Sequence, residues 1–137
     1  MKNLPYWITT GLFSLALTGS GIMTVTHQPP MVAAYQHLGY PVYFMTLLGA
    51  AKLAGVATIL APGLPRLKEW AYAGFAINLV SAAFSHLSAG DGAGTAVAPL
   101  VLLALALVSW RLRPADRALP APAATNEASV VARAATA

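Results

Sequence analysis

Long runs of apolar residues, separated by polar or proline-rich connections, dominate the pattern along the chain. A helix of about 20 apolar residues is as long as the ~30 Å hydrocarbon core of a bilayer is thick. The pattern therefore predicts an all-α integral membrane protein, in which four transmembrane helices form a four-helix bundle. The predicted helices cover residues 5–26, 42–61, 70–87 and 95–112.

The segments outside these runs carry signals that end helices. Pro29 and Pro30 interrupt the first connection, which leaves room for a short interfacial helix over residues 31–37. The first apolar run is long for a signal peptide and lacks a clear cleavage site, so we interpret it as a retained helix. The predicted domain covers residues 1–113. Residues 114–137 are rich in Ala and Pro without an apolar period and predict a disordered cytoplasmic tail.

The basic residues indicate how the bundle is oriented. Those near the chain ends and in the second connection fall on one side of the predicted membrane, namely Lys2, Arg66, Lys68, Arg111, Arg113 and Arg117. The two loops on the other side contain no Lys or Arg. Positive loops stay in the cytoplasm, so both termini are predicted to be cytoplasmic.

Composition supports the bilayer as the solvent of this chain. Apolar residues make up 58% and charged residues 9% of the sequence, whereas soluble domains carry about 25% charged residues. The net charge is +4, but the basic residues form no stripe interleaved with aromatics, which argues against a nucleic-acid partner. The sequence has no cysteine, so redox chemistry here would need a bound cofactor or a partner subunit.

Lys52 is the main candidate for a functional residue, because it lies near the middle of the second apolar run. A lysine at that depth costs about 2.5–3.5 kcal/mol on insertion scales and is expected to face the bundle interior with a polar partner. Asn78 and Ser81 lie at a similar depth in the next predicted helix, and Gly49 and Gly55 would leave open space beside the lysine. The five residues form the predicted ligand pocket. In the alternative interpretation, Lys52 only fixes the register of the helices through hydrogen bonds.

Other polar residues give weaker signals. His86 and Asp91 share the outer end of the third helix and form a predicted polar pair that connects the pocket to outer protons. The alternative is an interfacial histidine with loop hydrogen bonds. Glu69 is predicted to be a solvated helix cap. The histidines lack metal-ligand spacing, so no metal site is predicted, and no catalytic motif identifies catalytic residues or an enzymatic reaction.

The same residues carry a resemblance to a known family. The pattern comprises Leu38-Gly39-Tyr40-Pro41, Gly49 with Lys52-Leu53-Ala54-Gly55, Arg66-Leu67-Lys68-Glu69-Trp70, Ser85-His86 with Gly90-Asp91, and Pro99. It resembles the DoxX-like family over roughly residues 5–113. The resemblance implies a small four-helix protein of the bacterial cytoplasmic (inner) membrane.

The wider DoxX and DoxD group includes a subunit of an archaeal thiosulfate:quinone oxidoreductase. By resemblance, a quinone or another lipophilic molecule is expected in the bundle near Lys52 and Asn78. The leading hypothesis is therefore a membrane protein that binds such a molecule in a redox-associated role. A non-catalytic accessory subunit of a membrane or redox partner is the second hypothesis, and a small permease, which would need a homo-oligomer, is the third.

Overall fold

The computed structural model describes residues 3–120 and places them in five α-helices, with no strand in this part of the chain. A single 3-10 turn follows the last helix. The helices are α1 (Leu4–Val25), α2 (Pro29–His37), α3 (Val42–Leu60), α4 (Pro65–Ser88) and α5 (Val97–Arg111), and the 3-10 turn covers Ala115–Arg117. The all-helical class predicted from the sequence is confirmed for these residues.

Proline placement explains two differences between the predicted and observed helices. α2 begins at Pro29 and includes both prolines in its first turn, where a missing N–H costs no helical hydrogen bond. For the same reason α4 begins at Pro65 rather than at residue 70. Leu64, just before it, adopts a left-handed conformation with φ 57°. Lys68 and Glu69 therefore belong to the helix and not to a connection.

Each of the four long helices packs against two of the others. α1 contacts α3 and α5, and α4 contacts the same two helices, while α2 lies against α1 and α3. The core between them is apolar and centred on Phe13 and Phe75, whose rings meet edge to face with centroids 5.2 Å apart. Three hydrogen-bonded side chains cross this core: the Ser109 hydroxyl lies 2.6 Å from Oγ1 of Thr10 and 2.7 Å from the Tyr72 hydroxyl.

α1 and α3 approach closely where Gly21 of α1 faces Gly49 of α3. A Cβ on Gly49 would lie 2.7 Å from the backbone nitrogen of Val25 and 3.0 Å from the carbonyl oxygen of Gly21. A Cβ on Gly55 would lie 2.6 Å from the Phe75 ring. Gly49 therefore opens no space beside Lys52, because α1 fills it, whereas Gly55 lines a small cavity of about 180 Å³ together with Lys52 and Asn78. In membranes such small residues allow close packing of helix backbones.

Two cations cap the C-terminal end of α3. Nζ of Lys68 donates to the carbonyls of Thr58 (2.6 Å), Ile59 (3.1 Å) and Ala61. The Arg117 guanidinium donates to the Ile59 carbonyl at 3.1 Å. These carbonyls have no partner within the helix and carry the negative end of its dipole, so cations stabilise them. Both side chains are buried.

This cap changes the interpretation of the predicted tail. Residues 114–120 do not continue the apolar helix, but they have a defined conformation, and Arg117 folds back onto α3. The beginning of the predicted disordered tail is therefore ordered. The rest of the predicted tail, residues 121–137, lies outside the described residues.

The outer surfaces of the helices are rich in large apolar side chains. α1 and α3 are long and apolar enough to cross a membrane, and α5 is a shorter apolar helix. α4 also exposes apolar side chains, among them Trp70 (78% exposed) and Phe84 (70%). Exposed apolar surfaces on four neighbouring helices are unfavourable in water.

We expect Gly49→Ala to lower the free energy of unfolding by about 1–3 kcal/mol, because the new methyl group would press on the backbone of α1. Gly11→Ala, on α1, is the matched control, since a Cβ there meets nothing within 4 Å. Unfolding of both variants by SDS in mixed micelles, followed by far-UV circular dichroism, measures the difference. An equal stability of the two variants would contradict the importance of the close helix contact.

Candidate functional site

A cavity of about 650 Å³ lies towards the end of the helices that carries the histidines, which we call the histidine end. All five helices contribute to its lining. Of the predicted pocket residues, Lys52, Asn78 and Ser81 line this cavity, and so does His86. The structure thus brings Lys52, Asn78 and Ser81 to one space with His86, whereas Asp91 is not part of the lining.

Lys52 has a different partner from the one predicted. The residue is 9% exposed, and its Nζ donates to the Ser20 hydroxyl at 3.1 Å. Ser20 belongs to α1, which the glycine contact holds against α3, whereas the prediction paired α3 with α4 alone. Ser20 also lines the cavity. The small residue that follows it, Gly21, is the sequence signal that could have identified the neighbouring helix.

The ammonium group of Lys52 keeps hydrogen-bonding capacity towards the cavity. A lysine ammonium has three N–H donors, and among the described residues it uses one, on Ser20. Asn78 and Ser81 add an amide and a hydroxyl to the same lining. The chemistry available is therefore donation of hydrogen bonds to an oxygen of a bound molecule.

Most of the cavity wall is apolar. α1, α3 and α5 contribute aliphatic side chains, and α2 closes one side although none of its residues is buried. The Tyr40 and Phe44 rings stack with centroids 5.3 Å apart, and both residues line the cavity. The apolar lining residues include Leu17, Met31, Leu38, Leu48 and Leu102. An apolar cavity with a few converging polar groups is the usual form of a small-molecule site.

Asp91 joins two histidines at the mouth of this region. Its Oδ2 lies 2.7 Å from Nδ1 of His86, and its Oδ1 lies 2.5 Å from Nε2 of His37. A carboxylate only accepts hydrogen bonds, so each ring donates an N–H to it. His86 and Asp91 are thus in contact, and His37 is the member that the prediction missed. Its position in α2, far from Asp91 in sequence, gave no pairing signal.

The two hydrogen bonds change the acidity of Asp91. The hydrogen bond from His86, and next the one from His37, lower the pKa of the Asp91 carboxyl below its ordinary value, because both favour the ionised form. The rings hold the carboxylate in place and are held by it. We call the three residues the histidine triad.

His27 and Glu69 do not line the cavity, and each forms hydrogen bonds with other side chains of the protein. His27 Nε2 lies 2.8 Å from Oγ1 of Thr46. Glu69 is not a solvated cap: its carboxylate accepts from Trp110 Nε1 at 2.8 Å and from Arg113 at 2.5 Å, because α4 starts early enough to place it beside α5. Within residues 3–120, no cluster of three or more histidine or acidic side chains has the arrangement of a metal site.

A model of the DoxX-like family matches residues 8–109, which is more than half of the 137 residues. The chain belongs to the DoxX-like family. The match covers the helices that line the cavity and the histidine triad. Searches of curated proteins and of solved structures found no significant match. Membership of the DoxX-like family, together with the apolar helices α1 and α3, supports a membrane protein.

The lowered pKa of Asp91 predicts how the stability of this DoxX-like protein depends on pH. A depressed carboxyl pKa contributes stability that is present above the unfolded value and is lost as pH falls through the folded value. The wild type should therefore lose stability below the ordinary aspartate pKa of about 3.9. Thermal unfolding in detergent, followed by circular dichroism from about pH 6 to about pH 3, measures this loss.

The stability of Asp91→Asn should decrease less steeply over the same pH range, because asparagine has no carboxylate that is protonated as the pH falls. Asp116→Asn, at the opposite end of the molecule, is the control and should follow the wild type. Identical acid profiles for Asp91→Asn and the wild type would show that the triad contributes nothing to stability.

Proposed function

We propose that this DoxX-like protein is a four-helix bundle that crosses the bacterial cytoplasmic membrane four times, with α1, α3, α4 and α5 as its spans. Two observations support the arrangement. Large apolar side chains face outward on all four helices. Arg66, Arg111 and Arg113 lie at one end, which we call the basic end, whereas His37 and Asp91 lie at the other. The positive-inside rule then places the basic end, and both termini, in the cytoplasm.

We infer that the cavity binds a lipophilic small molecule through one of its oxygen atoms, and that quinones are the class it fits best. The single observation that carries this inference is the Lys52 amine, buried at a mostly apolar cavity and bonded to Ser20 alone among the described side chains. Maintaining a charge there is costly. A ligand carbonyl would accept from the free N–H groups and offset part of that cost.

The lining residues are compatible with a quinone. The cavity of about 650 Å³ is within the range of about 300–1,000 Å³ that is common for small-molecule sites. Lys52 would bind a carbonyl oxygen, Asn78 and Ser81 supply further polar contacts, and the aliphatic walls suit a ring and its tail. The chain has no cysteine and therefore no thiol that could transfer electrons. A bound quinone would supply that capacity.

Lys52→Met separates ligand binding from a role in helix register. If Lys52 serves the ligand, the change removes a costly buried charge and should raise the stability of the ligand-free protein. It should also weaken binding of a short-chain benzoquinone by about 10- to 100-fold, the scale of a lost hydrogen bond to a charged group. Equilibrium dialysis in detergent and SDS unfolding measure the two effects.

Leu47→Met is the matched control, because Leu47 lies on the outer surface of the same helix and does not line the cavity. It should bind the benzoquinone like the wild type. The register role predicts the opposite pattern, with lower stability in Lys52→Met and unchanged binding. That result would overturn the proposed function.

The proposed topology is tested with single cysteines, since the chain has none of its own. Ala93→Cys lies in the loop between α4 and α5 at the histidine end, and Ala115→Cys lies in the 3-10 turn at the basic end. A membrane-impermeant maleimide should label Ala93→Cys in intact spheroplasts. It should label Ala115→Cys only after permeabilisation, and labelling of both in intact spheroplasts would contradict the topology.

A further inference from the structure

The histidine triad lies between water and the cavity. The His37 side chain is 56% exposed, that of Asp91 19% and that of His86 30%. The His86 residue also lines the cavity. The triad therefore extends from the outer surface to the space in which a ligand would lie.

The hydrogen bonds of the triad fix the chemical form of the His86 ring. The Nδ1–H group of His86 donates a hydrogen bond to Oδ2 of Asp91 at 2.7 Å, so the neutral ring has its lone pair on Nε2. Asp91 itself is held from the other side by Nε2 of His37. A carboxylate that orients an imidazole in this way also stabilises the imidazolium formed when the ring accepts a proton. The arrangement is that of a positioned base.

We propose that His86 accepts and returns the proton of a hydroxyl-bearing lipophilic ligand in the cavity, with Asp91 and His37 as positioning residues. The proposal rests on the proposed binding function and concerns ligands with an acidic hydroxyl, such as phenols and the hydroquinones that are the reduced partners of quinones. When the proton leaves, the ligand O–H bond breaks and an N–H bond forms at Nε2 of His86. In the return step the N–H bond at Nε2 breaks and the ligand O–H bond re-forms, and no electron is transferred in either direction.

The surroundings of His86 favour this assignment. Asp91 is the only carboxylate at the histidine end among residues 3–120, so the charge that stabilises an imidazolium comes from one known group. The other titratable groups that line the cavity are Tyr35, Tyr40 and Lys52. The Tyr40 hydroxyl is bonded to Ser85 at 2.7 Å, and Nζ of Lys52 is bonded to Ser20.

A butyl-substituted nitrophenol tests the proposal, because its phenolate is coloured and its hydroxyl has the required chemistry. Equilibrium dialysis in detergent first measures its affinity for the wild type and the variants. A stopped-flow pH jump then measures how fast the bound probe changes colour. We expect His86→Gln to slow this change by about 10²-fold, the lower end of the effect of positioned acid–base groups, when each protein is saturated with the probe. Asp91→Asn should slow it less.

Two further measurements separate acid–base chemistry from a structural effect. Imidazole in the buffer should restore part of the rate in His86→Ala, which a structural loss would not allow. His27→Gln is the control. His27 lies at the same end of the molecule but is hydrogen-bonded to Thr46 and not to Asp91, so this variant should keep the wild-type rate.

The outcomes distinguish the two proposals. If the wild type binds the nitrophenol and the His86 and Asp91 variants react at the wild-type rate, the acid–base role is overturned and the binding function stands. If the wild type binds neither the nitrophenol nor the benzoquinone, both proposals fail.

Discussion

The close contact between α1 and α3 is the constraint on which the candidate site depends. Gly21 and Gly49 leave no room for side chains, so the two backbones lie nearly against each other. A Cβ on Gly21 would be only 3.4 Å from the Cβ of Lys52. This proximity brings the lysine within 3.1 Å of the Ser20 hydroxyl. The glycines therefore act through backbone separation, although neither lines the cavity.

The polar groups at the two ends of the molecule are paired to different extents. At the basic end, Lys68 and Arg117 satisfy the last carbonyls of α3, and Glu69 links α4 to Arg113. Cations and acceptors are matched there, which stabilises the fold. Towards the histidine end the helices line a cavity, and within residues 3–120 the Lys52 amine has only a neutral hydroxyl as its partner. Stability at one end allows an incompletely paired charge near the other, a common compromise at functional sites.

The apolar runs were sufficient to predict the helices, because a long hydrophobic segment is a strong local signal. α1 and α3 agree with their predicted ranges to within a residue or two. The start of α4 was missed because proline ends many helices but also begins them. Lys52 could be identified as costly from its position alone. Its partner Ser20 could not, since the neighbour of a helix depends on packing across the whole chain.

The same distinction applies to the polar groups. His86 and Asp91 are five residues apart and could be paired from the sequence. His37 reaches Asp91 only because α2 folds over the cavity, and Arg117 reaches α3 only because the chain turns back after α5. Contacts between residues that are distant in sequence depend on tertiary structure, so composition and periodicity do not contain them.

The position of Arg117 has a consequence for how the protein is made. Its guanidinium binds the carbonyl of Ile59, and the two residues are 58 positions apart. During synthesis, α3 is complete long before this arginine leaves the ribosome. Lys68 follows α3 closely and can cap it early, whereas the second cation arrives only after α5. The last described turn of the chain thus completes a helix end formed much earlier, and a chain that stops before residue 117 would lack this final contact.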